Sequence, residues 1–199
     1  MRDAGTVRIF STALLVLLLM QSGWADDKGG ISKIVERGKW LVMVGGCADC
    51  HSPKVFGPEG PMPDTTRFLS GSPAGTKVPD IPFDAMGPDK WGALTTPDLT
   101  VWAGPWGVSF TMNLTPDVAT GLGSWTPEMF IKALRTGKHM GEGRPILPPM
   151  PWPAIGQLKE GDLRAIFAYL RTLKPIANAI HEPIAPPAMH APGGGNGKQ

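Results

Sequence analysis

The chain has 199 residues, 19 Lys+Arg against 17 Asp+Glu, and 18% charged residues. That length suits one domain with a sizeable core, and a net charge of +2 without a long basic run leaves no electrostatic footprint for nucleic acid. With 26 Gly and 22 Pro, nearly a quarter of the chain is turn-forming, which argues against a large sheet or an alternating strand–helix nucleotide fold; two Cys are too few for a disulfide scaffold or a four-thiolate zinc site.

Residues 1–25 read as a secretory signal. Arg2 and Arg8 give a positive start, residues 9–20 are a largely apolar run, and Gly23-Trp24-Ala25 predicts cleavage after Ala25. Such a run makes about 18 Å of helix, short of the ~30 Å hydrocarbon core of a bilayer. Retained, it would be an anchor; cleaved, it implies export to the periplasm or another oxidising compartment.

Ile31, Ile34, Val35, Leu41, Val42 and Val44 sit at mostly helical offsets, so residues 31–46 predict a helix ending at Gly45-Gly46. Gly38, inside it, costs roughly 1 kcal/mol against Ala and suggests a close helix crossing or a tolerated glycine. Residues 52–111 are dense in Pro and Gly, with aromatic residues placed singly, and predict a long irregular region pinned by Phe56, Phe68, Phe83, Trp91, Trp102 and Trp106. Thr126, Pro127 and Glu128 form a helix start. Met129, Phe130, Ala133 and Leu134 share a face, and Gly137 ends that helix. The five prolines of 143–153 exclude helix or central strand. Residues 160–173 are the strongest helix, with Leu163, Ile166, Phe167 and Leu170 at i, i+3, i+4 and i+7. The domain is expected over 26–178, followed by a flexible Pro/Gly-rich tail over 179–199.

Cys47-Ala48-Asp49-Cys50-His51 is C-x-x-C-H, the attachment signature of c-type haem. On a helical turn, residues i and i+3 face the same way. Two thiols so placed can add to the two vinyl groups of one porphyrin edge, and His51 can meet the iron. A thioredoxin-type pair lacks its strand–helix context here, a zinc site lacks a second Cys pair, and an inert local disulfide is the bland alternative. One motif implies one haem. For the sixth ligand, Met150 stands apart, flanked by Pro148, Pro149, Pro151 and Pro153. A thioether is a weak ligand, and a stiff loop reduces the entropy lost when it binds. Met140 and His139 are the other candidates; Met62, Met86, Met112, Met129, His181 and His190 read as core or solvated residues. Lys132, Arg135, Lys138 and Arg144 read either as a patch for an acidic partner or as a solvated face.

Two blocks, GKWLVMVGGCADCHSP (38–53) and NLTPDVATGLGSWTPEMFIKALRTGKHMGEGRPILPPMPWP (113–153), followed by EGDLRAIFAYLRTLKP, resemble a class I cytochrome c. The second block is similar to monohaem domains in cytochrome subunits of bacterial periplasmic dehydrogenases. The resemblance implies an all-α cytochrome c fold, three to four helices around one covalent haem, with the N-terminal helix crossing the last. The irregular insertion over 54–112 is longer than the usual connection. The resemblance also implies thioethers at Cys47 and Cys50, His51 as proximal ligand and Met150 as distal ligand. The expected function is a periplasmic electron carrier between a dehydrogenase or other donor and a respiratory acceptor, not an enzyme, with redox proteins as partners. A peroxidase-like haem enzyme and a membrane-anchored cytochrome subunit are the alternatives.

Overall fold

A computed structural model describes residues 30–187 of the chain. The expected leader (1–25), His190 and residues 188–199 of the expected tail lie outside the described residues.

Helix α1 runs over 30–44 and crosses α5 (Glu160–Leu170) at Gly38. A Cβ on Gly38 would lie 1.8 Å from the Ala165 carbonyl oxygen and 2.9 Å from Tyr169 Cβ, so only hydrogen fits between the two backbones. Of the two readings of this glycine, the close crossing is the one observed. Val42 enters the core from α1; Leu163, Ile166, Phe167 and Leu170 enter from α5.

Helix α3 (Pro127–Thr136) starts and stops where its residue types require. The Thr126 hydroxyl accepts from the Met129 N–H, Pro127 occupies the first turn, and the Gly137 N–H closes the helix on the Ala133 carbonyl. Phe130, Ala133 and Leu134 face α5, with the Phe130 and Phe167 rings 5.3 Å apart. The short α4 (Trp152–Ile155) comes directly after the proline-rich loop. It corrects the expectation that 143–153 holds no helix: Pro153 lies in its first turn, where a missing N–H costs nothing.

The all-α expectation is overturned. Besides five helices, the described residues hold five strands in two antiparallel sheets, with 34% helix and 15% strand. Both sheets fall inside the stretch read as irregular. β1 (Lys54–Gly57) pairs with β2 (Gly60–Pro63), and β3 (Leu94–Thr95), β4 (Val101–Gly104) and β5 (Gly107–Phe110) form a meander. The two hairpins share one turn chemistry. GPEG and GPWG each pair their outer glycines across the turn (Gly57 with Gly60, Gly104 with Gly107). The second glycine sits at φ 94° in one and 96° in the other, where an L side chain is strained. Strands of four residues are too short to show a sustained alternation, which is why the Pro/Gly density masked them. The meander has its own small core of Met86, Val101, Ala103 and Val108.

Beyond α5, the chain is tied to the body. Val108 and Ile184 exchange both backbone hydrogen bonds, at 2.8 and 3.0 Å. Asn178, 4% exposed, donates to the Ser70 and Ser72 carbonyls at 2.7 and 2.8 Å and accepts from the Ala74 N–H at 3.0 Å. Asn178→Ala would strand the buried Ser70 and Ser72 carbonyls, each buried orphan costing on the order of 1–3 kcal/mol. The expected loss is about 3 kcal/mol of unfolding free energy, read as a lower urea midpoint with an unchanged slope. An unmoved midpoint would show that water replaces these bonds without cost.

Candidate functional site

Helix α2 (Cys47–His51) is a single turn plus one residue, too short to be stable on its own. Its C-terminal carbonyls are satisfied from outside. The Lys54 ammonium donates to the carbonyls of Ala48, Asp49 and Ser52 at 3.1, 2.6 and 2.9 Å, and the Gly71 N–H donates to the His51 carbonyl at 2.7 Å. The Ser52 hydroxyl, fully buried, accepts from the Leu69 N–H at 2.9 Å. The insertion therefore holds the C-x-x-C-H turn in place.

Cys47 and Cys50 are both free thiols, so the local disulfide is not formed. Burial pushes both thiols up, and they stand as neutral S–H at pH 7. The His51 Nδ1–H donates to the Met112 carbonyl at 2.8 Å; a carbonyl can only accept, so Nε2 carries the free lone pair of the neutral ring. Burial also lowers the His51 pKa, which favours that neutral form.

All three residues line one cavity of about 270 Å³. Its other walls are largely apolar: Val42 of α1, Leu122, Trp125, Phe130 and Leu134, Ile166 and Leu170 of α5, and Phe110 of β5. Met150 lines it too, from the proline-rich loop, with Leu147, Pro149 and Pro151 beside it. The tertiary structure thus brings together Cys47, Cys50, His51 and Met150 from positions about a hundred residues apart.

Of the other ligand candidates, Met112 and His139 share the cavity wall and the rest lie elsewhere. Met86 is in the meander core, Met129 packs on the main core, and Met62 and Met140 are exposed. Met112 lines the cavity but is tied to His51 through its own carbonyl. His139 lines the cavity and stands edge-on to Trp125, ring centroids 5.1 Å apart; burial lowers its pKa. His181 lies against Phe110 at 5.3 Å.

Sequence reasoning missed Ser109, Phe110 and Arg144 as cavity residues. The G-P-x-G turn before β5 was the available signal for the first two. The basic patch is largely engaged within the chain. Lys132 pairs with Glu142, Arg144 with Glu182 at 3.3 Å, and Arg135 donates to the Gly156 and Leu158 carbonyls. Asn113, fully buried, spends its amide on Thr115, Thr120 and the Ile176 carbonyl, a wholly structural use.

The donor set suits an iron porphyrin: two S–H groups on one face of a turn, an imidazole with a committed Nδ1–H, a thioether, and apolar walls. Among the described residues no three His, Cys, Asp or Glu converge as a metal site of their own, and no helix is long and apolar enough to cross a membrane.

No family model matches the chain. Over 168 residues it is 29% identical to the gluconate 2-dehydrogenase cytochrome c subunit of Pantoea cypripedii, covering 84% of this chain and 29% of that protein. It is 39% identical over 166 residues to the cytochrome c subunit of a quinone-type alcohol dehydrogenase of Gluconobacter oxydans, covering 83% of this chain and 27% of that protein. It is 28% identical over 143 residues to the fructose dehydrogenase cytochrome subunit of Gluconobacter japonicus, covering 71% of this chain and 22% of that protein. The chain therefore spans less than a third of the length of these relatives.

Proposed function

Starting from a chain that is a homologue of the cytochrome c subunits of bacterial dehydrogenases, we propose that it is an exported electron carrier. It holds one haem c, attached through Cys47 and Cys50, with His51 and Met150 on the iron. The observation that carries this reading is the gathering of those four side chains on the wall of one apolar cavity. Bound there, the haem supplies a reversible one-electron couple, with a potential raised by His/Met ligation.

The chain's own residues do the rest. The Met112 carbonyl fixes the His51 tautomer and ring plane and increases the basicity of Nε2. Leu122, Trp125, Phe130 and Ile166 exclude water, which favours the form of lower net charge. With haem bound, Met150, held by its prolines, would take the position that oxygen or peroxide would need. This is the reason to prefer a carrier over a haem enzyme. A dehydrogenase is the proposed donor and a respiratory protein the proposed acceptor. The periplasmic location rests on the leader pattern at 1–25.

Visible spectra of the purified protein test the ligand set. The oxidised form is expected to show the far-red Met-to-ferric charge-transfer band, and Met150→Ala is expected to lose it and to bind cyanide rapidly. A variant that keeps the band would overturn ligation by Met150.

A further inference from the structure

We infer that the β3–β5 meander, the part of the insertion with no assigned role, is a brace for the distal loop, with Ser109 as its positioning residue. The inference rests on Met150 being the sixth ligand. Pro148, Pro149 and Pro151 have no N–H to donate, so Met150 is the only residue of 148–151 that can donate a backbone hydrogen bond. Among the described residues, none of 147–150 makes a backbone–backbone hydrogen bond. The polar contact that reaches this stretch comes from the meander. The Ser109 hydroxyl, on a residue 9% exposed, donates to the Pro148 carbonyl at 2.6 Å.

The strand behind Ser109 is held on both edges. β4 pairs with it on one side, Trp102 opposite Ser109. On the other side Val108 exchanges two backbone hydrogen bonds with Ile184. Val108, fully buried, anchors one face in the small core, while Ser109 and Phe110 line the cavity. A side chain delivered from so constrained a strand can fix a loop that prolines stiffen but cannot tether. A thioether binds iron weakly, so the fraction of time Met150 spends off the metal depends on how far its loop can move.

Cyanide competes for the position that Met150 occupies, so its binding rate to the oxidised, haem-loaded chain reports how often the thioether leaves. Ser109→Ala is expected to raise that rate about tenfold, the equivalent of one modest hydrogen bond, and to lose the far-red band at a lower temperature. Ser109→Thr, which keeps the hydroxyl, is expected to restore both. Thr126→Ala removes the helix cap of α3, whose hydroxyl bonds the Met129 N–H, and is expected to leave the cyanide rate within about twofold of the unaltered chain. An unchanged rate in Ser109→Ala, or an equal acceleration in Thr126→Ala, would overturn the brace. Persistence of the band in Met150→Ala would instead overturn the ligand assignment on which the brace depends.

Discussion

Replacing Cys47 and Cys50 together by Ser is expected to give a protein that is colourless after acid denaturation, with the mass of the bare polypeptide. The unaltered chain is expected to stay coloured and to carry the added mass of one haem. The two thiols occupy positions one and four of α2, so they face the same way, both line the cavity, and neither is consumed in a disulfide. Without them the haem would be held only by His51 and Met150. Acid protonates the imidazole, and a thioether alone is too weak to keep the iron. Each single Cys→Ser variant retains one thioether bond and is expected to stay coloured. A coloured, haem-weighted double variant after denaturation would end the proposal that the motif is the attachment site.

Gly38→Ala is expected to destabilise the fold by about 3 kcal/mol, lowering the thermal midpoint by roughly 10 °C for a chain of this size. The sign is opposite to the general rule, since Ala is the better helix former by about 1 kcal/mol. Here the added methyl would sit 1.8 Å from the Ala165 carbonyl oxygen. That neighbour is backbone in the middle of α5 and cannot rotate away, so the two helices must part. Parting them opens contacts around Val42, Leu163 and Ile166, of which Val42 and Ile166 also line the cavity. Calorimetry on the purified variant checks it. An equal or higher midpoint would mean the crossing relaxes without cost.

Local rules made the helices legible. The Thr126-Pro127-Glu128 start, the Gly137 stop and the i, i+3, i+4, i+7 spacing of Leu163 to Leu170 depend on neighbours within one or two turns, and each element lies where those residues place it. The C-x-x-C-H turn was legible for the same reason. The insertion was not. Its strands are four residues long or shorter, and their pairing partners were marked by the G-P-x-G turns rather than by any periodicity. The segment beyond α5 was opaque as well, because Asn178 and Ile184 gain their roles from partners near residues 70 and 108.

The leader pattern, the helices other than α4 and the set of residues able to bind a porphyrin could all be read from the order of amino acids, because each depends on side-chain chemistry and on spacing within a few positions. Three-dimensional packing was needed to bring Met150 to the wall of His51's cavity, to put the Met112 carbonyl against the imidazole, and to set a small sheet behind the distal loop. Those arrangements join groups roughly 40 to 110 residues apart. Their proximity arises from the burial of the main core and of the meander's own small core, which no local pattern encodes.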